Sequence, residues 1–84
     1  MTRVVHLTPH LGGGVGRALA SLVRARRRAD PANEHRIVCL EAPEKTVFID
    51  EIRALGASVL VAPAPAELAA AVSDADLVQL EFWN

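Results

Sequence analysis

The chain has 84 residues, of which 51% are hydrophobic and 23% are charged, and its formal net charge is −1. This length allows one small domain, the composition excludes a disordered tail, and the balanced charge gives no electrostatic reason to expect a nucleic-acid-binding protein. Because apolar residues nowhere run for the roughly 18 positions that a transmembrane helix needs, and because the apolar stretch before Pro9 is too short for a signal peptide, we expect a cytoplasmic chain.

Short apolar runs alternate with amphipathic runs along the chain. The runs predict strands over residues 3–7, 36–40, 58–61 and 76–82, and helices over residues 15–29, 43–55 and 67–72. In the second helix, Pro43 and Glu44 suit the first turn, and Gly56 stands where a glycine commonly ends a helix. This alternation predicts a three-layer α/β fold, a partial Rossmann-like parallel sheet of about four strands in the order 3-2-1-4 with three helices.

The order of the strands predicts where a ligand binds. In open parallel sheets, ligands bind beyond the carboxyl ends of the strands, where the order reverses, here between the first and fourth strands. Residues 8–14 and 81–84 would border that crevice. The fourth strand is apolar and needs cover on both faces, so we expect residues 1–84 to form a single incomplete domain; a compact four-stranded domain is the alternative.

The main functional signal is the segment PHLGGGVGR, residues 9–17, between the first strand and the first helix. Glycine tolerates positive φ and has no Cβ, so backbone N–H groups can approach an anion at the positive end of the helix. The segment predicts a diphosphate site at Gly12, Gly13, Gly14 and Val15, with a tight turn that binds nothing as the alternative. A Walker A loop is excluded because no Lys-Ser or Lys-Thr follows, and Arg17, in place of the third glycine of a dinucleotide fingerprint, should block close packing.

The segments VVHLTPHLGGGVGRALASL, HRIVCLE and ADLVQLEFWN resemble the start of the N-terminal domain of retaining GT-B-fold glycosyltransferases, especially the group called family 4. The resemblance implies an enzyme that transfers a sugar from a nucleotide-sugar donor, which is a substrate and not a cofactor, to an acceptor. It also implies that the C-terminal donor-binding domain is missing, so that this chain alone is inactive. By the same resemblance the three glycines lie near the donor diphosphate, and the acceptor side comprises His10, Glu81, Trp83 and Asn84.

Two other functions stay open. The chain could be a non-catalytic nucleotide- or partner-binding α/β module, in which Glu41 at the end of the second strand binds a ribose; an exposed loop carboxylate is the simpler interpretation of that residue. It could also be a gene remnant without independent activity. No catalytic residue is assigned, and the spacing of His6, His10 and His35 predicts no metal site.

Several side chains also have a structural interpretation. We expect His6 to be a hydrogen-bonded core residue and Cys39 to be a buried free thiol. Trp83 suits either a packing contact or a sugar-stacking surface. A basic cluster near the end of the first helix complements the helix dipole, or else supports peripheral association with an anionic membrane; it comprises Arg24, Arg26, Arg27 and Arg28.

Overall fold

Four strands alternate with three helices in the computed structural model of the protein, which describes residues 1–81. The strands are β1 (Arg3–Thr8), β2 (Glu34–Cys39), β3 (Ser58–Val61) and β4 (Leu77–Leu80), and the helices are α1 (Gly13–Ala29), α2 (Val47–Ala54) and α3 (Pro65–Ser73). All pairs of neighbouring strands are parallel, and their order is β3-β2-β1-β4. The predicted fold class and strand order are therefore confirmed.

Helices cover both faces of the sheet, as predicted. On one face, α1 and α2 pack over Ile37 and Cys39 of β2, and the buried side chains there include Leu19 of α1 and Ile52 of α2. On the other face, α3 covers Val5, Val38 and the side chains around them. Each fully buried aliphatic side chain contributes about 1.5–3 kcal/mol to folding, so these two layers hold the sheet and fix the edge where its loops emerge.

Helix α1 lies close to its neighbours at Gly16. A Cβ atom built at this position would lie 2.4 Å from Cδ2 of Phe48 in α2 and 2.5 Å from the carbonyl oxygen of Leu11. Only a residue without a side chain fits there. Arg17, the next residue, is exposed to solvent, and this close contact joins α1 to α2 and to the loop after β1, not to a strand.

The start of α2 was predicted wrongly. The helix begins at Val47 instead of residue 43, and residues 41–46 form a loop. The backbone N–H of Asp50 donates to the carbonyl of Thr46 (2.9 Å), which makes Thr46 the residue before the first turn. Proline followed by an acidic residue suits a turn as well as a helix start, and here it lies in the turn. At the other end Gly56 follows the helix with φ +90°, as predicted.

A network of charges links the amino-terminal end of the sheet to α3. The Arg3 guanidinium donates to the Glu34 carboxylate (2.8 Å) and also contacts Asp74. Arg36 donates to the carbonyl of Ala71 (2.7 Å) at the end of α3 and to the Asp74 carboxylate (3.2 Å). The hydrogen bond from Arg3 lowers the pKa of Glu34. Exposed ion pairs add little to stability, so the network marks where β1, β2 and the end of α3 meet and is not a main source of stability.

The strand β4 is the least covered part of the sheet. It pairs with β1, and its apolar side chains Leu77, Val78 and Leu80 are 54%, 40% and 60% exposed.

Three of the arginines of α1 lie in its last turn, where they complement the helix dipole. Within residues 1–81, no helix has the length and hydropathy required to cross a bilayer.

Candidate functional site

The loop between β1 and α1 is held by its own hydrogen bonds. The buried Thr8 hydroxyl donates to the carbonyl of His10 (2.8 Å), and the Gly12 N–H donates to Nδ1 of His10 (3.3 Å). Gly12 is the residue before α1, in an extended conformation (φ −87°), and it has no side chain to accept from the first turn. The N–H groups of the first turn have no partner inside a helix, so this end of α1 carries partial positive charge.

Gly12, just before α1, and Gly14, in its first turn, are not required by the fold. A Cβ built at Gly14 would meet nothing within 4 Å, and one at Gly12 would meet only His10 Nδ1, at 3.8 Å. Neither glycine has a positive φ, so the left-handed backbone conformation that glycine tolerates does not explain why glycines occur here. Their effect is to leave open space in front of the end of α1, where a ligand could approach the backbone.

A cavity of about 430 Å³ lies at the carboxyl end of the sheet, between the loop after β1 and the loop after β2. Its walls combine apolar side chains with charged ones, and both α1 and α2 begin beside it without a side-chain cap. The cavity is lined by His10, Leu11, Gly12, Glu41, Ala42, Pro43, Glu44, Lys45, Val47 and Phe48. Each helix end contributes about half a positive charge, so together with Lys45 they offset the two carboxylates.

The predicted diphosphate residues lie together. Gly12 precedes α1, while Gly13, Gly14 and Val15 form its first turn. The Val15 side chain is buried in the core, whereas Gly12 lines the cavity. His10 lies next to Gly12 and lines the cavity, which brings this predicted acceptor-side residue and the glycines to one place.

The cavity and the predicted crevice lie on opposite sides of β1. The crevice was placed between β1 and β4, whereas the cavity is on the β2 side, with Glu41 and Lys45 in its wall. The wall of the cavity formed by the loop after β2 was not predicted, because α2 was expected to begin at residue 43 and too few residues were left for a loop. Trp83 and Asn84, predicted on the acceptor side, lie outside the described residues.

Glu81 belongs to a buried polar chain on the α1 face of the sheet. It is 3% exposed, and its Oε1 atom lies 3.2 Å from Nδ1 of His6. Nε2 of His6 lies 3.2 Å from Nδ1 of His35 in the neighbouring strand. His6 is therefore a hydrogen-bonded core residue, as predicted, and the Glu81 carboxylate is turned towards it.

Cys39 is a buried free thiol, as predicted. It is fully buried, its Sγ donates to the carbonyl of Glu41 (3.0 Å), and burial raises the pKa of the thiol. A thiol that is protonated and hidden from solvent is a poor nucleophile. Among residues 1–81, no group of three or more His, Cys, Asp or Glu side chains is arranged to hold a metal ion.

Comparisons with family profiles, with curated proteins and with solved structures found no match to this chain. The likeness to glycosyltransferases consequently stays a prediction, and the function is inferred from the geometry of the chain's own residues.

Proposed function

We propose that this chain belongs to the acceptor-side, Rossmann-like domain of a retaining glycosyltransferase, and that the amino end of α1 contacts the diphosphate of a nucleotide-sugar donor. The observation that carries the proposal is the amino end of α1: it has no side-chain cap, Gly12 before it lines a cavity of about 430 Å³, and the fold does not require glycine at Gly12 or Gly14.

The chemistry of sugar transfer explains why such a helix end would be useful. When the bond between the sugar and the donor diphosphate breaks, negative charge builds up on the departing diphosphate. Fixed N–H dipoles aimed at that charge stabilise the transition state more than the ground state. The backbone of Gly13, Gly14 and Val15 would supply these dipoles. The acceptor would lie on the side of His10, whose ring is already fixed by Gly12.

The proposal is tested by titrating the 84-residue chain with UDP and GDP and following the backbone amide signals by NMR. The amides of Gly13, Gly14 and Val15 should shift, while those of Ala66 and Glu67, which occupy the first turn of α3, should not. The helix α3 is a suitable internal control because it also begins at the carboxyl end of a strand.

Two substitutions of equal size separate charge from shape. Gly14→Asp adds a negative charge beside the proposed diphosphate, whereas Gly14→Asn adds the same volume without charge, and neither meets a neighbouring atom at Cβ. At about 5 Å and an effective dielectric constant of about 40, the added charge costs about 1.7 kcal/mol, or roughly tenfold or more in affinity. The matched control is Ala66→Asp, which adds the same charge in the first turn of α3.

The expected order of affinity for UDP is the unmodified chain and Ala66→Asp together, then Gly14→Asn, then Gly14→Asp. If Gly14→Asp bound UDP as tightly as Ala66→Asp did, the helix end would not be the diphosphate site and the proposal would be wrong.

A second function is favoured by one observation. Glu41, at the end of β2, lines the same cavity as Gly12, which is the arrangement that a nucleotide-binding module needs to hold a ribose hydroxyl near a phosphate. In that case the isolated chain should bind NAD or ATP, and Glu41→Gln should weaken this binding. A glycosyltransferase fragment should bind UDP or GDP, with little effect of Glu41→Gln.

A further inference from the structure

A second pocket, of about 240 Å³, lies on the α1 face of the sheet beside the uncovered strand β4. It is separate from the cavity at the glycine loop, since it is bordered by the last turns of α1. Its apolar walls are Val4, Leu22 and Leu77, and its polar groups include Arg26 and the ring of His35. Five of its eight lining residues are polar, since His6, Asn33 and Gln79 also line it, so the pocket suits a small ligand that has both polar and apolar surface.

His35 lines this pocket, and one atom of its ring has no hydrogen-bond partner among the described residues. His35 is 5% exposed, and within residues 1–81 its Nε2 atom is buried without a partner. Leaving a buried polar atom in this state is unfavourable, and a ligand that forms a hydrogen bond with it recovers that cost.

The neighbouring hydrogen bonds determine what this atom offers. An ionised carboxylate can only accept, so Glu81 requires a proton on Nδ1 of His6. In neutral His6, Nε2 is then an acceptor and takes the proton on Nδ1 of His35. Neutral His35 therefore presents a lone pair at Nε2, which can bind a proton or a hydrogen-bond donor.

Arg26 supplies the second polar element of the pocket. Its guanidinium forms no ion pair with the residues that the structure describes, whereas Arg24 on the same helix is paired with Glu51. A guanidinium is the usual partner of a carboxylate or another oxyanion. The three aliphatic walls select for an alkyl chain attached to that anion.

We propose that this pocket binds a short aliphatic carboxylate together with one proton, with the carboxylate between Arg26 and protonated Nε2 of His35. The proton comes from solvent and forms the Nε2–H bond, and no other bond is made or broken. The positive charge on His35 is balanced through His6 by Glu81 and directly by the bound anion. This inference does not depend on the function of the glycine loop.

The charges around His35 explain why the proton and the anion should bind together. Burial and the neighbouring His6, Arg27 and Arg26 lower the pKa of His35, and Asp30 opposes them weakly. A bound carboxylate adds a negative charge and so should raise it. Because the carboxylate favours protonation of His35, protonation of His35 favours binding of the carboxylate to the same extent. The affinity should therefore fall as the pH rises above the pKa of His35 in the free protein, by about tenfold per pH unit over the range in which binding takes up one proton.

The test uses butyrate as the probe and the intact 84-residue chain. NMR titration of the His35 ring with and without butyrate should show its pKa raised by the ligand. Calorimetry in buffers of different ionisation enthalpy should show proton uptake on binding. Arg26→Gln should weaken binding roughly tenfold. Arg28→Gln removes an equal charge from the same turn without touching the pocket, and it should bind butyrate as the unmodified chain does.

Either of two results would overturn the proposal. One is that butyrate leaves the titration of His35 unchanged, which would mean that water alone meets Nε2. The other is that Arg26→Gln and Arg28→Gln weaken binding equally, which would mean that the anion is attracted to the helix surface at large. Because Arg26 is exposed and forms no ion pair within residues 1–81, its replacement should leave the fold intact, and an unchanged melting temperature verifies this.

Discussion

Replacing Gly16 by alanine tests the close approach of α1 most directly. The added Cβ would lie 2.4 Å from Cδ2 of Phe48 and 2.5 Å from the carbonyl oxygen of Leu11. The Phe48 ring could rotate, but the oxygen belongs to the backbone of the loop and cannot move without shifting it. Overpacking of this kind costs about 3 kcal/mol, at the upper end of the usual range, and alanine returns about 1 kcal/mol through its higher helix propensity.

The net destabilisation is therefore about 2 kcal/mol, which for a domain of this size corresponds to roughly 10 °C in melting temperature. Urea denaturation followed by circular dichroism measures it, with Gly14→Ala as the matched control. At Gly14 the new Cβ meets nothing within 4 Å, so the same exchange should be neutral or slightly stabilising. If Gly16→Ala were as stable as Gly14→Ala, the packing of α1 against the Leu11 loop would differ from that described.

Three other outcomes are expected. Folding lowers the pKa of His35 below its usual 6.5, so the unfolded chain binds a proton at His35 more readily than the folded chain does. The free energy of unfolding should therefore be highest above pH 6.5 and should fall as the pH decreases. In urea titrations at several pH values, His35→Gln should show a weaker dependence on pH. Cys39, fully buried, should react with iodoacetamide only as fast as the chain opens, so adding urea should accelerate alkylation measured by mass spectrometry. Gly56→Ala should cost about 1–2 kcal/mol in thermal unfolding, because φ there is +90°, whereas Ala54→Gly should cost only about 1 kcal/mol.

The strands could be predicted from the sequence because each is marked by a short run of apolar residues. The strand over residues 58–61 was placed at its observed bounds, and Gly56 correctly marked the end of α2. The order of the strands was taken from the commonest doubly wound fold, after right-handed crossovers had restricted the possible topologies. The beginning of α2 was missed because Pro43 and Glu44 satisfy a turn and a helix start equally. The signal that could have found it is Thr46 followed by Asp50, whose carboxylate accepts from the Thr46 hydroxyl (3.2 Å).

The candidate site was only half predictable. The glycine loop was visible as a motif, and its position at the start of α1 is confirmed. The opposite wall depends on how residues 41–46 cross the edge of the sheet, which is a tertiary property with no local pattern. The lack of a hydrogen-bond partner at Nε2 of His35 could not be predicted from the sequence either, because it depends on the pairing of His6 with two residues distant in sequence.

The charge network of Arg3, Glu34, Arg36 and Asp74 lies at the end of the sheet remote from the glycine loop. These ion pairs thus lie at one end of the sheet, and the cavity beside the glycine loop lies at the other. Insertions or deletions in residues 41–46 would change the wall of the cavity without removing any of these ion pairs. Variants of this loop could accordingly be selected for new binding properties while the opposite end of the sheet stays unchanged.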